Sequence, residues 1–511
     1  MKTNILTLIS LLLGMNTLEA ATRRLRATYR TDPSTTISIG WDQYSGNSPV
    51  LYYGTTDNGT NSNLYLFQAT PVITNTDGGM NNTFVRLSGL APNTVYYFVI
   101  KDNEGTSARY SFQTISNDPT QPLSLICGAD TRAGIDTRII GFKLVAKLRS
   151  QAVIFDGDLT DSGTNSELHD WFDNWTFSIA SDGRITPIVM VDGNHEFGII
   201  NISNLFDTPY DGIDFQNNYY SIPFGGSLLR VYNLNSFDNL STETAWLQAQ
   251  LQNYGIATTW NLPQYHIPVR PILSTKTNDQ DEYDQWVPLF EQYNVKLVQE
   301  ADAHAFSMTW PIRSSTASGN DQGFVRDDVN GIVYFGEGGW GAPLYAADNP
   351  KSWTRGYGVF YHFMVVHFYP DRAEIYTVKL ENEPNVPALT DASRMTIPSQ
   401  LSLEPLIDIN GINSGDHVTI SKATSSLLEN HAYAITIFPT FVDNILNIQF
   451  DNPPENSIVK IMDLTGRNIN NYILPSSGNL QVNISNYRKG IYIVEIQNND
   501  NRINAFKIIK N

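Results

Sequence analysis

Cysteine is almost missing: Cys127 is the one cysteine in 511 residues. A disulfide framework, a zinc site built on thiolates and an iron–sulfur cluster are therefore excluded. Any metal ion must be held by His, Asp, Glu or Asn. Positive charge is scarce as well, since 33 Lys and Arg against 51 Asp and Glu leave −18 at neutral pH. A surface this acidic repels phosphate backbones, so no nucleic acid partner is expected. Long apolar runs are also absent. The run at the start, Ile5–Met15, is too short to cross a hydrocarbon core of about 30 Å as a helix, and none later approaches that length. No membrane span is expected. The glycine-rich stretch Gly336–Leu344 lacks the Lys-Ser/Thr of a phosphate loop, which leaves it a turn.

What is present divides into segments. Lys2, the short apolar run and the small residues ending at Ala20 and Ala21 predict a secretory signal peptide over residues 1–21. Residues 22–117 read as all-β. Short alternating or aromatic runs (Thr36–Trp41, Val50–Tyr53, Leu64–Phe67, Thr83–Leu87, Val95–Ile100, Arg109–Thr114) are separated by turns such as "TDNGTNSN". They predict a β-sandwich, and "SGLAPNTVYYFVI" resembles the fibronectin type III pattern. In that pattern a tyrosine, here Tyr96 or Tyr97, folds its hydroxyl back onto the backbone. After the linker Ser116–Pro122, residues 123–380 alternate buried strands with helices such as Arg138–Arg149 and Thr242–Leu251, an α/β pattern. Residues 381–433 are a weakly patterned connector. Residues 434–511 read as a small C-terminal β-sandwich whose charge is +1, against −19 for the rest.

The α/β segment carries the chemistry. "PLSLICGAD", "QAVIFDGD", "TPIVMVDGNHE" and "NVKLVQEAD" are apolar strands ending in Gly or Ala plus Asp or Asn, and ligands of such sheets sit at the carboxyl ends of strands. Those ends, with "YHIP", deliver Asp130, Asp158, Asn194 with His195, His266, and Asp302 with His304. A dinuclear site needs a carboxylate to bridge two cations, further ligands on each, and open positions for water and substrate.

In this order, "GDLTD", "GNHE", "YHIP" and "ADAH" resemble the motifs of the calcineurin-like metallophosphoesterases. More narrowly they are similar to those of purple acid phosphatases, in which a sandwich domain also precedes the catalytic one. The likeness spans about residues 22–380 and includes "STETAWLQAQL" and "TWPI". It implies a four-layer α/β domain with two metal ions drawn from Fe, Zn or Mn. One ion falls to Asp130, Asp158 and His304, the other to the bridging Asp158 with Asn194 and His266. His195 corresponds to a non-ligand histidine that hydrogen-bonds the phosphate or protonates the leaving group. The implied activity is that of an exported acid phosphatase, in which a metal-bound hydroxide attacks the phosphorus of a phosphorylated small molecule. A phosphodiesterase or nucleotidase with the same metals, or a surface binding protein on a degenerate phosphatase scaffold, stays open.

Three departures bear on that expectation. Asp302 stands where the family has a ligand histidine, and is expected to bind the second ion. Asp161 stands where the purple enzymes have a tyrosine, so it is a candidate ligand and no phenolate-to-iron colour is expected. Arg132 occupies a position that other branches give to a histidine, and is expected to fork onto phosphate. Asp130, Asp158 and Asp302 with one hydroxide balance two divalent ions; if Asp161 also ligates, the core becomes −1, and Arg132 and a candidate substrate-binding Arg270 would restore positive potential. At the C-terminus, "DNILNIQF", "DLTGR", "KGIYIVEI" and "KIIKN" resemble the sorting domain of the type IX secretion system. The resemblance implies the export machinery as a partner and a secreted or cell-surface location.

Overall fold

Alternating side chains set the first hundred residues into two antiparallel sheets in the computed structural model. The structure describes residues 21–209, 211, 218–237, 240–422, 435–439, 441–450, 457–463, 467–475, 477–498 and 501–510. All of the expected signal peptide, residues 1–21, except Ala21 thus lies outside those described. One sheet runs Thr22–Thr28, Ile37–Gln43, Met80–Leu87, Ile73–Asp77; the other runs Phe67–Ala69, Val50–Gly54, Val95–Lys101, Tyr110–Gln113. Trp41, Val85, Phe98 and Phe112 fill the space between them. Tyr96 makes the expected fold-back, its hydroxyl accepting the Ala91 N–H at 2.9 Å. Residues 64–67 are not a strand as expected: the Asn61 side chain caps a 3-10 turn over Ser62–Leu64, and pairing begins at Phe67.

The first strand, "TRRLRAT", hides behind three arginines, two of which are buried by partners from the next domain. Arg24 pairs with Asp42 and with Asp173, each at 2.9 Å, and Arg26 donates to the Leu205 carbonyl and lies over the Phe172 ring. Asp207 receives Arg30 and Arg86 in the same way. Burying charge is tolerable where every ion is paired.

Two further sheets stack face to face in the central domain. The six-stranded one runs Ile188–Met190, Ala152–Phe155, Leu123–Gly128, His362–Phe368, Arg372–Lys379, His417–Ser421. The first three are parallel, the rest antiparallel. Its last strand lies inside the expected connector, because Val418 and Ile420 alternate inward from a short polar stretch. The seven-stranded sheet runs Tyr220–Phe224, Leu229–Asn233, Trp260–Gln264, Leu297–Glu300, Val333–Gly336, Phe306–Thr309, Thr354–Gly358, with parallel pairing from Leu229–Asn233 to Val333–Gly336.

Adjacent residues divide between faces, as strands buried on both sides require. Leu125 and Cys127 meet Val231, Leu262, Leu297 and Val333 between the sheets. Ile126, Val153 and Phe155 instead meet helices Ile135–Leu148 and Asn165–Trp175, and Tyr232, Val298 and Tyr334 meet Leu240–Asn253 and Val287–Gln292. The result is four layers, helix, sheet, sheet, helix. Helix Asn165–Trp175 shows how local sequence makes an outer layer. Thr164 and Glu167 form a capping box, and Leu168, Trp171, Phe172 and Trp175 put one apolar stripe inward. Among the described residues no helix is long and apolar enough to cross a membrane.

Residues 423–511 form a separate compact unit. Its sheets run Ile435–Phe438, Ile445–Phe450, Asn479–Asn483, and Phe441–Val442, Asn501–Lys510, Gly490–Asn498, Ser457–Asp463, Asn468–Ile473. Leu446, Ile448, Val459, Ile461, Val494 and Ile508 make its core.

Candidate metal centre

Loops from both central sheets converge at the carboxyl ends of their parallel strands. Asp130, Asp158 and Asn194 follow Leu123–Gly128, Ala152–Phe155 and Ile188–Met190, while His266, Asp302 and His304 follow Trp260–Gln264 and Leu297–Glu300. The chain turns sharply there. Asp130 and Asp158 have φ of 60°, Asp302 65° and His304 51°, a left-handed backbone that costs a non-glycine residue about 1–2 kcal/mol. Such strain collects at functional sites because it turns side chains out of the strand line into shared space. Two glycines make room. A Cβ on Gly193 would lie 2.2 Å from Asp158 Oδ1, and one on Gly338, at φ 75°, would lie 1.9 Å from Asp130 Oδ2.

Asp130, Asp158 and His304 bring ligand atoms within 4.8 Å of one another, with His304 Nε2 3.1 Å from Asp130 Oδ1. His266 Nε2 lies 3.4 Å from Asp158 Oδ1, 3.1 Å from Asn194 Oδ1 and 3.7 Å from Asp302 Oδ1. Both imidazoles have the tautomer a ligand needs. His266 Nδ1 faces the Asp156 carbonyl at 2.6 Å and His304 Nδ1 the Pro343 carbonyl at 2.9 Å. Each Nδ1 must therefore donate, which frees the Nε2 lone pair for a cation. Asp158 is buried, and its Oδ2 has no hydrogen-bond partner. Among the described residues Asp130, Asp158 and His304 thus form a group able to hold a cation, with His266, Asn194 and Asp302 beside it.

Electrostatics agree. Burial opposes charging of His266, yet Asp158, Asp130 and Asp302 outweigh it and lift its pKa to about 9. Burial likewise opposes the charging of His304, and Asp130 still lifts it. So concentrated a negative field draws positive charge. Glu196 ties the loops together by accepting the N–H groups of Asp158, Leu159 and Gly193 at 2.7, 2.9 and 2.9 Å. Burial, with Asp158 adding to it, pushes Glu196 up to about 7.

His195 stands at the mouth. Its Nδ1 donates to the Asp161 carbonyl, and its Nε2 lies 3.7 Å from Asp158 Oδ2. The mouth opens into a cleft of about 460 Å³ lined by Arg132, Asn194, His195, Lys276, Asp302 and His304.

Two expectations need correction. Asp161 is outside the carboxylate–histidine group: its carboxylate is partly exposed at the rim and pairs with Arg132 at 2.6 Å. Arg132 lines the cleft, with Nη1 3.4 Å from His304 Nε2. Arg270 does not line it. Its buried guanidinium donates to the carbonyls of Gln322, Val269 and Asp279 and to Gln280, and packs on the Tyr283 ring. It braces the loop after His266. Two residues went unpredicted. Lys276 reaches Asp302 Oδ1 at 2.5 Å from a Thr/Asn/Asp-rich loop that carries no motif. Tyr345 stacks flat on His304 at 4.9 Å from the glycine-rich turn.

Residues 139–306 match the family model for calcineurin-like phosphoesterases, a stretch that contains Asp158, Asn194, His266, Asp302 and His304. Residues 22–114 match the model for the purple acid phosphatase N-terminal domain, and residues 436–511 that for the secretion system C-terminal sorting domain. No curated protein matches the chain in sequence. Among solved structures, the purple acid phosphatase PPD1 from yellow lupin (Lupinus luteus) seeds is similar with a TM-score of 0.58 at 13% identity, over 75% of this chain and 77% of that one. PhoD is similar with a TM-score of 0.52 at 11% identity, over 70% and 87%. At such identities the likeness is one of fold. In order along the chain stand stretches that match the models of a purple acid phosphatase N-terminal domain, a calcineurin-like phosphoesterase and a secretion system C-terminal sorting domain.

Proposed function

We propose that the protein is an exported acid phosphatase that uses two metal ions, drawn from Fe, Zn or Mn, to hydrolyse monoesters of phosphorylated small molecules. The observation that carries this reading is the clustering of Asp130, Asp158 and His304 within 4.8 Å, with His266 3.4 Å from Asp158 and 3.1 Å from Asn194. Asp130, Asp158 and His304 would hold one ion, and Asp158, Asn194, His266 and Asp302 would hold the other. Bound ions supply charge neutralisation at the phosphoryl oxygens and activate the attacking water. Arg132, held in orientation by Asp161, forks onto the phosphoryl group. His195 holds its Nε2 toward the cleft while Nδ1 is fixed by the Asp161 carbonyl, so a proton on Nε2 is positioned for the leaving oxygen. The match to a secretion system C-terminal sorting domain supports action outside the cell or at its surface.

Elemental analysis beside phosphate release from an aryl phosphate tests the proposal. Two metals per chain and turnover abolished by a chelator are expected. Faster turnover of diesters would move the assignment to a phosphodiesterase or nucleotidase. Metal-free protein inert on both esters would leave a binding protein on a phosphatase scaffold.

A further inference from the structure

Lys276 and Asp302 form a pair with one side in the protein and one in the cleft. The ammonium lies 2.5 Å from Asp302 Oδ1, the lysine side chain is 34% exposed and the aspartate 7%. The loop that carries Lys276 is fastened at two points. Ile272 N–H donates to Glu337 Oε2 at 2.7 Å, and Ser274 donates through its N–H and its hydroxyl to the two oxygens of Asp348, each at 2.8 Å. Across the cleft the other cation, Arg132, is already matched by Asp161. Lys276 is thus a cleft-lining cation that pairs directly with a candidate ligand carboxylate.

We propose that Lys276 is a specificity-determining residue of the phosphate site. It returns the unit of positive charge that an aspartate in a neutral imidazole's place removes, and so favours dianionic monoesters over monoanionic diesters. The inference rests on the phosphoesterase reading, with Asp302 beside the second ion. Three carboxylates and a hydroxide cancel two divalent ions, and the Arg132–Asp161 pair is neutral, so Lys276 leaves the site at +1 toward an incoming anion. At a half-exposed position, one extra substrate charge about 4 Å from an ammonium changes binding by about tenfold to a hundredfold.

The test compares the full-length, metal-loaded protein with Lys276→Met and Lys276→Arg. Metal content is read by elemental analysis, inorganic phosphate binding by calorimetry, and kcat/KM on an aryl phosphate monoester and its matched diester. Lys276→Met should keep its metals, bind phosphate about tenfold or more weakly, and lose monoester-over-diester preference by a similar factor. Lys276→Arg should recover most of both. Unchanged phosphate binding, or equal losses on the two esters, would overturn the proposal in favour of a purely structural ion pair. Loss of metal in Lys276→Met would overturn it in favour of a role in assembling the centre. A wild-type protein that turns over neither ester fails the phosphoesterase reading instead, and the phosphate-binding arm still decides Lys276.

Discussion

Asp158 is the residue on which the proposed centre depends most, because it groups with Asp130 and His304 and also meets His266, which in turn reaches Asn194. Asp158→Asn keeps the shape and removes the charge. Elemental analysis should show metal lost from the variant, with kcat/KM down at least about a thousandfold and the circular dichroism spectrum unchanged. Asp302→His removes the partner of Lys276 and adds a softer ligand, so competition titrations should show a preference shifted toward zinc. At this scale much was legible. Asp130, Asp158, Asn194, His266, Asp302 and His304 sit in motifs whose spacing from apolar strands is visible in one dimension. Arg270 and Asp161 misled because charge four residues past His266, or three past Asp158, says nothing of direction. The Arg270 side chain turns to backbone carbonyls, and that of Asp161 to Arg132.

Elements end where the ligands begin, and the ends are made by backbone shape as much as by side chains. Gly338→Ala would press a methyl against Asp130 Oδ2 at a left-handed position. We expect about 1–3 kcal/mol of destabilisation with the sheets intact, and metal affinity reduced far more than thermal stability. Parallel calorimetric and metal titrations check this. The helices and apolar strands could be read from period and length, as with Arg138–Arg149 and Thr242–Leu251, where helices Ile135–Leu148 and Leu240–Asn253 form. Thr22–Thr28 and His417–Ser421 could not. Arg24 and Arg26 make the first look exposed, and only pairing with Asp42, Asp173 and the Leu205 carbonyl buries them. The second has two inward apolar residues, Val418 and Ile420, too few to mark a strand without the neighbour they pair with.

Across the whole molecule, buried acids behind the site set a dependence on pH. Burial, with Glu300 adding to it, pushes Glu337 up to about 8, and burial pushes Glu300 up to about 7. The folded state thus holds protons that the unfolded chain releases near 4.5. Their contribution is present below that value and is lost as pH rises toward 8. Glu337→Gln can still accept the Ile272 N–H but cannot ionise. Its melting temperature should therefore exceed wild type by about 2–4 °C at pH near 8 and hardly differ at pH near 5, as calorimetry will show. The division into two units yields another expectation. Every candidate ligand lies in residues 1–422, so removing 423–511 should leave metal content and turnover nearly unchanged while the protein fails to leave the cell. Assays of medium and cell fractions check that, and an intact C-terminus on normally exported protein would count against sorting.

Composition, motif order and hydrophobic period determine the kind of metal ligand, the succession of β, α/β and β segments, and the strand ends that carry the chemistry. These are properties of neighbours in the chain, and local forces report them. Tertiary structure alone decides which charges cancel. The pairs Arg24–Asp173, Arg132–Asp161 and Lys276–Asp302 join residues 149, 29 and 26 positions apart. Coulomb energy depends on distance in space, and two stacked sheets with left-handed turns at their ends set that distance for residues the chain keeps far apart.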